Sequence, residues 1–212
     1  MEKGLTGLIL AGGGSTRLGQ DKARLPVFGK SLLERTVHLA GKYCVRVYVS
    51  GRDPSKDGID APWLPDDRPG IGPMGGILTG LNHLGGPLLV LACDLPLIQA
   101  ETIQRLIQVR KNRPDSAVMT VYHQEETGYI EALVAIYEDR AAVFLEEARQ
   151  KGVYKLSQAI PESARHLVAY AREQASEFLN INSPADLDLL SQVMGMPGRG
   201  PFLVKTGDND AY

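Results

Sequence analysis

Residues 5–22 read LTGLILAGGGSTRLGQDK: an apolar run of strand length breaks into three glycines, a Ser-Thr pair, Arg17 and then Lys22. A buried strand that ends on glycines beside cations is how an α/β sheet offers backbone N–H groups to an anion. Two better-known phosphate loops are excluded by single residues. A Walker loop needs lysine directly after its second glycine, and Gln20 follows Gly19. A dinucleotide fingerprint needs a third glycine where Arg17 stands, and the next strand-like run ends on Ser50 rather than on an acid for ribose. What remains is a loop in which Gly12, Gly13 and Gly14 let the backbone approach an anion, with Arg17 and Lys22 supplying charge. Read alone, its alternative is a glycine turn between strand and helix flanked by two solvated cations.

Working outward, apolar runs of strand length recur at Leu5–Leu10, Val45–Ser50, Leu88–Cys93, Ala117–Tyr122 and Ala132–Tyr137. They lack the polar alternation of a one-sided sheet, so they predict strands covered on both faces. Helical patterns lie between them at Ser31–Lys42, Met74–Leu84, Ala100–Lys111 and Arg140–Lys151. Alternating strand and helix predicts an α/β, doubly wound, mostly parallel sheet. The 212 residues suffice for one such domain, expected over 1–194, followed by an irregular tail over 195–212. Gly29-Lys30-Ser31 reads as a helix start, because Ser31 with Glu34 three residues on forms a capping box. Two irregular segments, Asp53–Gly76 and His123–Gly128, are candidate rims of a site.

Ligands of open α/β sheets bind outside the carboxyl ends of the strands. In PLLVLACDLP, Asp94 stands at such an end, where a carboxylate can hold Mg²⁺ on nucleotide phosphates; the alternative is a cap for the helix that begins near Gln99. Asp66 and Asp67 precede RPGIGPMGGI, a loop rigidified by proline and opened by glycine, so either could accept a hydrogen bond from ribose or base, or merely close a turn.

Composition narrows the class. With 23 basic and 25 acidic residues and no basic run, the chain is not expected to bind nucleic acid. No apolar run approaches the roughly 18 residues of a membrane span, and no signal peptide is expected in the glycine-rich first residues. Cys44 and Cys93 are far apart within apolar runs and read as buried free thiols, so a cytoplasmic location is expected.

Four motifs together resemble the molybdenum cofactor guanylyltransferase family: L-A-G-G-x-S-x-R-L-G-x-D-K from Leu10, D-x-x-P-G-x-G-P-M-x-G-I from Asp66, C-D-x-P from Cys93, and N-I-N-S-P-x-D-L from Asn180. The resemblance spans Leu10 to about Leu190 and implies a Rossmann-like nucleotidyltransferase fold of the nucleotide-diphospho-sugar transferase type. It implies transfer of GMP from GTP to the terminal phosphate of molybdopterin, with Mg²⁺ as cofactor. Leu10, Ala11 and Gly12 would lie against guanine and ribose, and Gly13, Gly14 and Ser15 near the phosphates. Arg17 and Lys22 would bind phosphate, Asp66 would serve the nucleotide site, and Asp94 would bind the metal. Asn180 and Asn182 would line the molybdopterin side. Contacts with other cofactor-biosynthesis proteins or molybdoenzyme chaperones are also implied. Leu18 replaces a common Met, and Glu131-Ala132-Leu133 departs from x-Pro-Leu. The rival readings are a cytidylyl or sugar-phosphate nucleotidyltransferase on the same fold, and a non-catalytic molybdopterin-binding or insertion partner.

Overall fold

The structure is a computed structural model and describes residues 4–12, 18 and 21–195. Gly13, Gly14, Ser15 and Arg17, and the expected tail beyond Gly195, lie outside the described residues.

A seven-stranded sheet forms the centre. In chain order its strands are β1 (Thr6–Leu10), β4 (Arg46–Ser50), β5 (Trp63–Leu64), β6 (Leu88–Ala92), β7 (Met119–Gln124), β8 (Ile130–Tyr137) and β9 (Arg165–Tyr170). A short hairpin, β2 (Pro26–Val27) with β3 (Lys30–Ser31), stands apart. The spatial order is β5-β4-β1-β6-β8-β7-β9, and β8 alone runs against its neighbours. The expected mostly parallel sheet is therefore present, with one strand reversed.

The five predicted strands and four predicted helices all form, with small shifts at their ends. The helices are α1 (Leu32–Gly41), α2 (Pro73–Leu84), α3 (Ala100–Arg110) and α4 (Ala141–Gln150), joined by α5 (Leu156–Ala159) and α6 (Pro184–Val193). Ser31 caps α1, its Oγ accepting the Glu34 N–H at 3.1 Å, but the expected capping box is only half formed, because the Glu34 carboxylate pairs with Lys30 at 3.0 Å. The segment expected to be irregular from His123 is instead the continuation of β7 and a tight turn into β8, because Gln124 N–H donates to Tyr129 O at 2.8 Å.

Two cores sandwich the sheet. Leu89 and Leu91 of β6 pack with α1 and α3 on one face, while Leu88 and Val90 pack with α2, α4 and α5 on the other. All five residues of β6 are buried, which accounts for the unbroken apolar run. A third, smaller core joins distant parts of the chain: Leu25, Val27 and Leu32 pack against Ile181 and Leu190. It clamps the turn that follows the glycine-rich loop against α6.

Candidate functional site

The carboxyl ends of three neighbouring parallel strands carry motif residues, Asp66 after β5, Ala11 and Gly12 after β1, and Asp94 after β6, and Gly51 and Arg52 follow β4, which lies between β5 and β1. The chain leaves β1 toward β4 on one side and returns as β6 on the other, and the crevice at such a switch point is where open α/β sheets bind ligands.

At the β1/β6 side, Lys22 begins a single 3-10 turn (Lys22–Arg24) that Asp21 caps by accepting the Ala23 N–H at 3.1 Å. Its Nζ donates to Asp94 Oδ2 at 2.6 Å and to Asn182 Oδ1 at 3.0 Å. Asp94 is not the cap of α3; Gln99 holds that position. The late motif reaches this point through backbone bonds. Ile181 N–H donates to Asp94 O at 2.9 Å, and Asp186 accepts the Asn182 N–H at 2.9 Å and the Ser183 N–H at 2.8 Å. Burial opposes ionisation of Asp186, but those N–H groups and the Ser183 hydroxyl outweigh it and hold its pKa below the usual carboxylate value. Asn182 is thus positioned by a charged anchor, and the structure places it beside Lys22, while Asn180 stands two residues earlier.

Asp94 Oδ1 is buried and has no hydrogen-bond partner among the described residues. A hard, ionisable oxygen left open at a strand end suits a divalent cation such as Mg²⁺. No group of three or more His, Cys, Asp or Glu side chains able to hold a metal occurs among the described residues. A cation at Asp94 would therefore draw most of its ligands from substrate phosphates and water, the arrangement Mg²⁺ favours.

At the β4 side, backbone meets backbone. Gly51 has φ +91, and a Cβ there would lie 2.4 Å from Gly12 N, so only glycine lets the two loops touch. Arg52 then reaches Asp21 with two hydrogen bonds, 2.8 and 2.6 Å, and holds the Asp21 carboxyl below its usual pKa. Sequence reading did not single out Arg52, although its place just past a strand end was the available signal. Asp66 ties its loop to α2 through one oxygen: Oδ1 accepts from Arg68 N–H at 2.8 Å and from the Thr79 hydroxyl at 3.3 Å. A Cβ on Gly75 would strike its Oδ2 at 2.7 Å, so α2 starts against this carboxylate. Asp67 pairs with His83 on the surface.

The model of the MobA-like NTP transferase domain matches residues 7–180, from β1 to Asn180. The chain belongs to that family. It is 32% identical to a probable molybdenum cofactor guanylyltransferase of Chloroflexus aggregans, over 90% of this chain and 95% of that one. It is 33% identical over 86% of its length to a molybdenum cofactor biosynthesis bifunctional protein of Synechocystis, of whose length it spans about half (52%). A solved structure of molybdopterin-guanine dinucleotide biosynthesis protein A from Archaeoglobus fulgidus shares the fold, with a TM-score of 0.71 and 24% identity, covering 90% of this chain and 99% of that one. The Lys22 and Asp94 contact lies within the span matched to the MobA-like family, and Asn182 falls two residues past it.

Proposed function

We propose that this chain is a molybdenum cofactor guanylyltransferase. It joins a terminal phosphate oxygen of molybdopterin to the α-phosphorus of GTP, and the bond from that phosphorus to the bridging oxygen of the β-phosphate breaks, releasing pyrophosphate. The observation that carries the reading is the convergence on Lys22 of Asp94 and Asn182, from motifs 72 and 160 residues away. The relatives' names supply the guanylyl group and the molybdenum cofactor.

The attacking phosphate is already anionic, so the protein needs no activated serine or histidine. Its work is positioning and charge neutralisation on the group in transfer and on the leaving pyrophosphate. Lys22 is a point charge held beside Asp94 and Asn182; when a triphosphate enters, its oxygens replace or join those acceptors. Asp94 would hold Mg²⁺ through Oδ1, and the metal would offset charge on the phosphates. Gly12, pressed against Gly51, presents bare backbone to the nucleotide, and Arg17 would add a second cation. Asn180 and Asn182 would border the molybdopterin side.

No helix among the described residues is long and apolar enough to cross a membrane. Both cysteines are free, and burial pushes each thiol up to about 12, which suits a reducing cytoplasm where these sulfurs stay inert. Thermal shift against GTP, CTP, ATP and UTP, each with Mg²⁺, tests the nucleotide: GTP alone is expected to raise the melting temperature strongly, and an equal shift with CTP would overturn the guanylyl assignment.

A further inference from the structure

A cavity of about 420 Å³ lies under α1, where Leu39 faces Leu91 of β6 and Ile98 of the segment leading into α3. That is the size of a small-molecule site. Lys22, Asp94 and Asn182 do not line it. Its floor is apolar, but its α1 wall is not: Arg35, His38 and Lys42, three and four residues apart, fall on one face of the helix and all line the cavity. Lys30 also lines it but is paired with Glu34 at 3.0 Å. The opposite wall is the start of α3, where Gln99 gives the first turn no side-chain cap. The lining includes one carboxylate, the exposed Glu101, against Arg35 and Lys42 in addition to the paired Lys30.

Arg35 carries the inference. It is half-buried, and burial lowers its pKa, yet no carboxylate pairs with it among the described residues. One N–H donates to Pro96 O at 3.2 Å, which leaves most of a guanidinium's five donors available. Its charged carbon lies 4.8 Å from the centre of the Phe28 ring. Phe28 is itself unusual. It occupies the two-residue turn between β2 and β3 with φ +53, followed by Gly29 at φ +81, the pattern of a type I′ turn. Asn, Asp and Gly suit that position; a bulky aromatic residue there is strained. The ring is 54% exposed at the edge of the cavity and already stacked on a cation.

We propose that this cavity is a second binding site, separate from the nucleotide crevice, for a small planar or aromatic molecule bearing a phosphate, sulfonate or carboxylate. The planar body rests on the half-buried Leu39, backed by the buried Leu91 and Ile98, with the Phe28 ring beside it, and the anionic group takes hydrogen bonds from Arg35 and Lys42. Both halves of the ligand are needed, since the floor offers no donors and the cations stand at its margin.

The test is calorimetric titration of the full chain with 1-naphthyl phosphate, 1-naphthol and inorganic phosphate in turn. Naphthyl phosphate is expected to bind with one-to-one stoichiometry, and each of the other two at least tenfold more weakly. Saturating GTP is expected to leave this binding unchanged. Arg35→Met and Lys42→Glu are each expected to weaken it at least tenfold while keeping the wild-type melting temperature. Lys42 is exposed, so its variant decides the matter if Arg35→Met folds poorly. Absence of saturable binding, equal binding of naphthol, unchanged affinity in Lys42→Glu, or displacement by GTP would each overturn the proposal. The readout needs no guanylyl transfer, so a chain that binds naphthyl phosphate but releases no pyrophosphate contradicts only the function proposed above.

Discussion

The Lys22 ammonium lies 2.6 Å from Asp94 Oδ2, with both side chains largely buried at 16% and 12% exposure. A hydrogen-bonded ion pair of this kind holds a lysine that would otherwise sample many rotamers, and it does so in the crevice where phosphate would enter. Removing the carboxylate should therefore cost chemistry more than folding. Asp94→Ala is expected to lower guanylyl transfer by at least about 10²–10³-fold, the size of losing one strong electrostatic group. Circular dichroism is expected to match wild type. Near-normal turnover in the variant would refute the role given to Asp94.

Asn182→Asp sets a second carboxylate against Lys22, where the amide oxygen now accepts at 3.0 Å. That group would compete with the triphosphate for the same cation. The variant is expected to bind GTP about tenfold more weakly, equivalent to ~1.4 kcal/mol, measured by calorimetry without molybdopterin. Unchanged GTP affinity would place Asn182 on the molybdopterin side alone.

Gly51→Ala drives a methyl group into Gly12 N and Cα, at 2.4 and 2.5 Å, so the loop after β1 must move. Gly58→Ala is the matched control: φ is +70, but nothing lies within 4 Å of its added Cβ. Both variants pay for the left-handed backbone, about 1–2 kcal/mol, but only Gly51→Ala is expected to weaken GTP binding, by at least about tenfold. Thermal shift with and without GTP separates the two effects.

Much of this site was legible because it rests on local patterns. The unbroken apolar run of β6 marked a strand covered on both faces, and Asp94 stood visibly at its end. Ser31 and Glu34 marked the start of α1. The features that were not legible depend on long-range pairing. Residues 165–170, RHLVAY, carry polar residues in a strand that forms because β7 offers it an edge. β5 is two residues long, too short for any periodicity. Nothing near Asn182 announces Lys22; the two meet because Ile181 is buried with Leu25 and Leu32 and its N–H is bonded to Asp94 O. The pairing of Arg52 with Asp21 was hidden for the same reason, since the two are 31 residues apart, although the place of Arg52 past a strand end was visible.

Glu131 gives a pH test. Burial raises its pKa above 4.5, and the Tyr170 hydroxyl, donating at 2.6 Å, only partly opposes this. The folded chain thus holds this proton more tightly than the unfolded chain. Stability from the protonated group is fully present below 4.5 and is lost as pH rises through the raised folded value. Glu131→Gln cannot ionise and keeps an acceptor for Tyr170. It is expected to melt above wild type near neutral pH and to lose that advantage below 4.5. Each pKa unit of displacement is worth about 1.4 kcal/mol, or about 3–6 °C for a chain of this size.

The central claim is guanylyl transfer, and pyrophosphate release reports it most directly. The full chain is to be supplied with Mg²⁺, molybdopterin and either GTP or CTP, with Lys22→Met in parallel. Release is expected with GTP only, in proportion to the molybdopterin added, and to fall by at least about 10²-fold in Lys22→Met. Release that is equal with CTP, independent of molybdopterin, or undiminished in Lys22→Met would contradict the account.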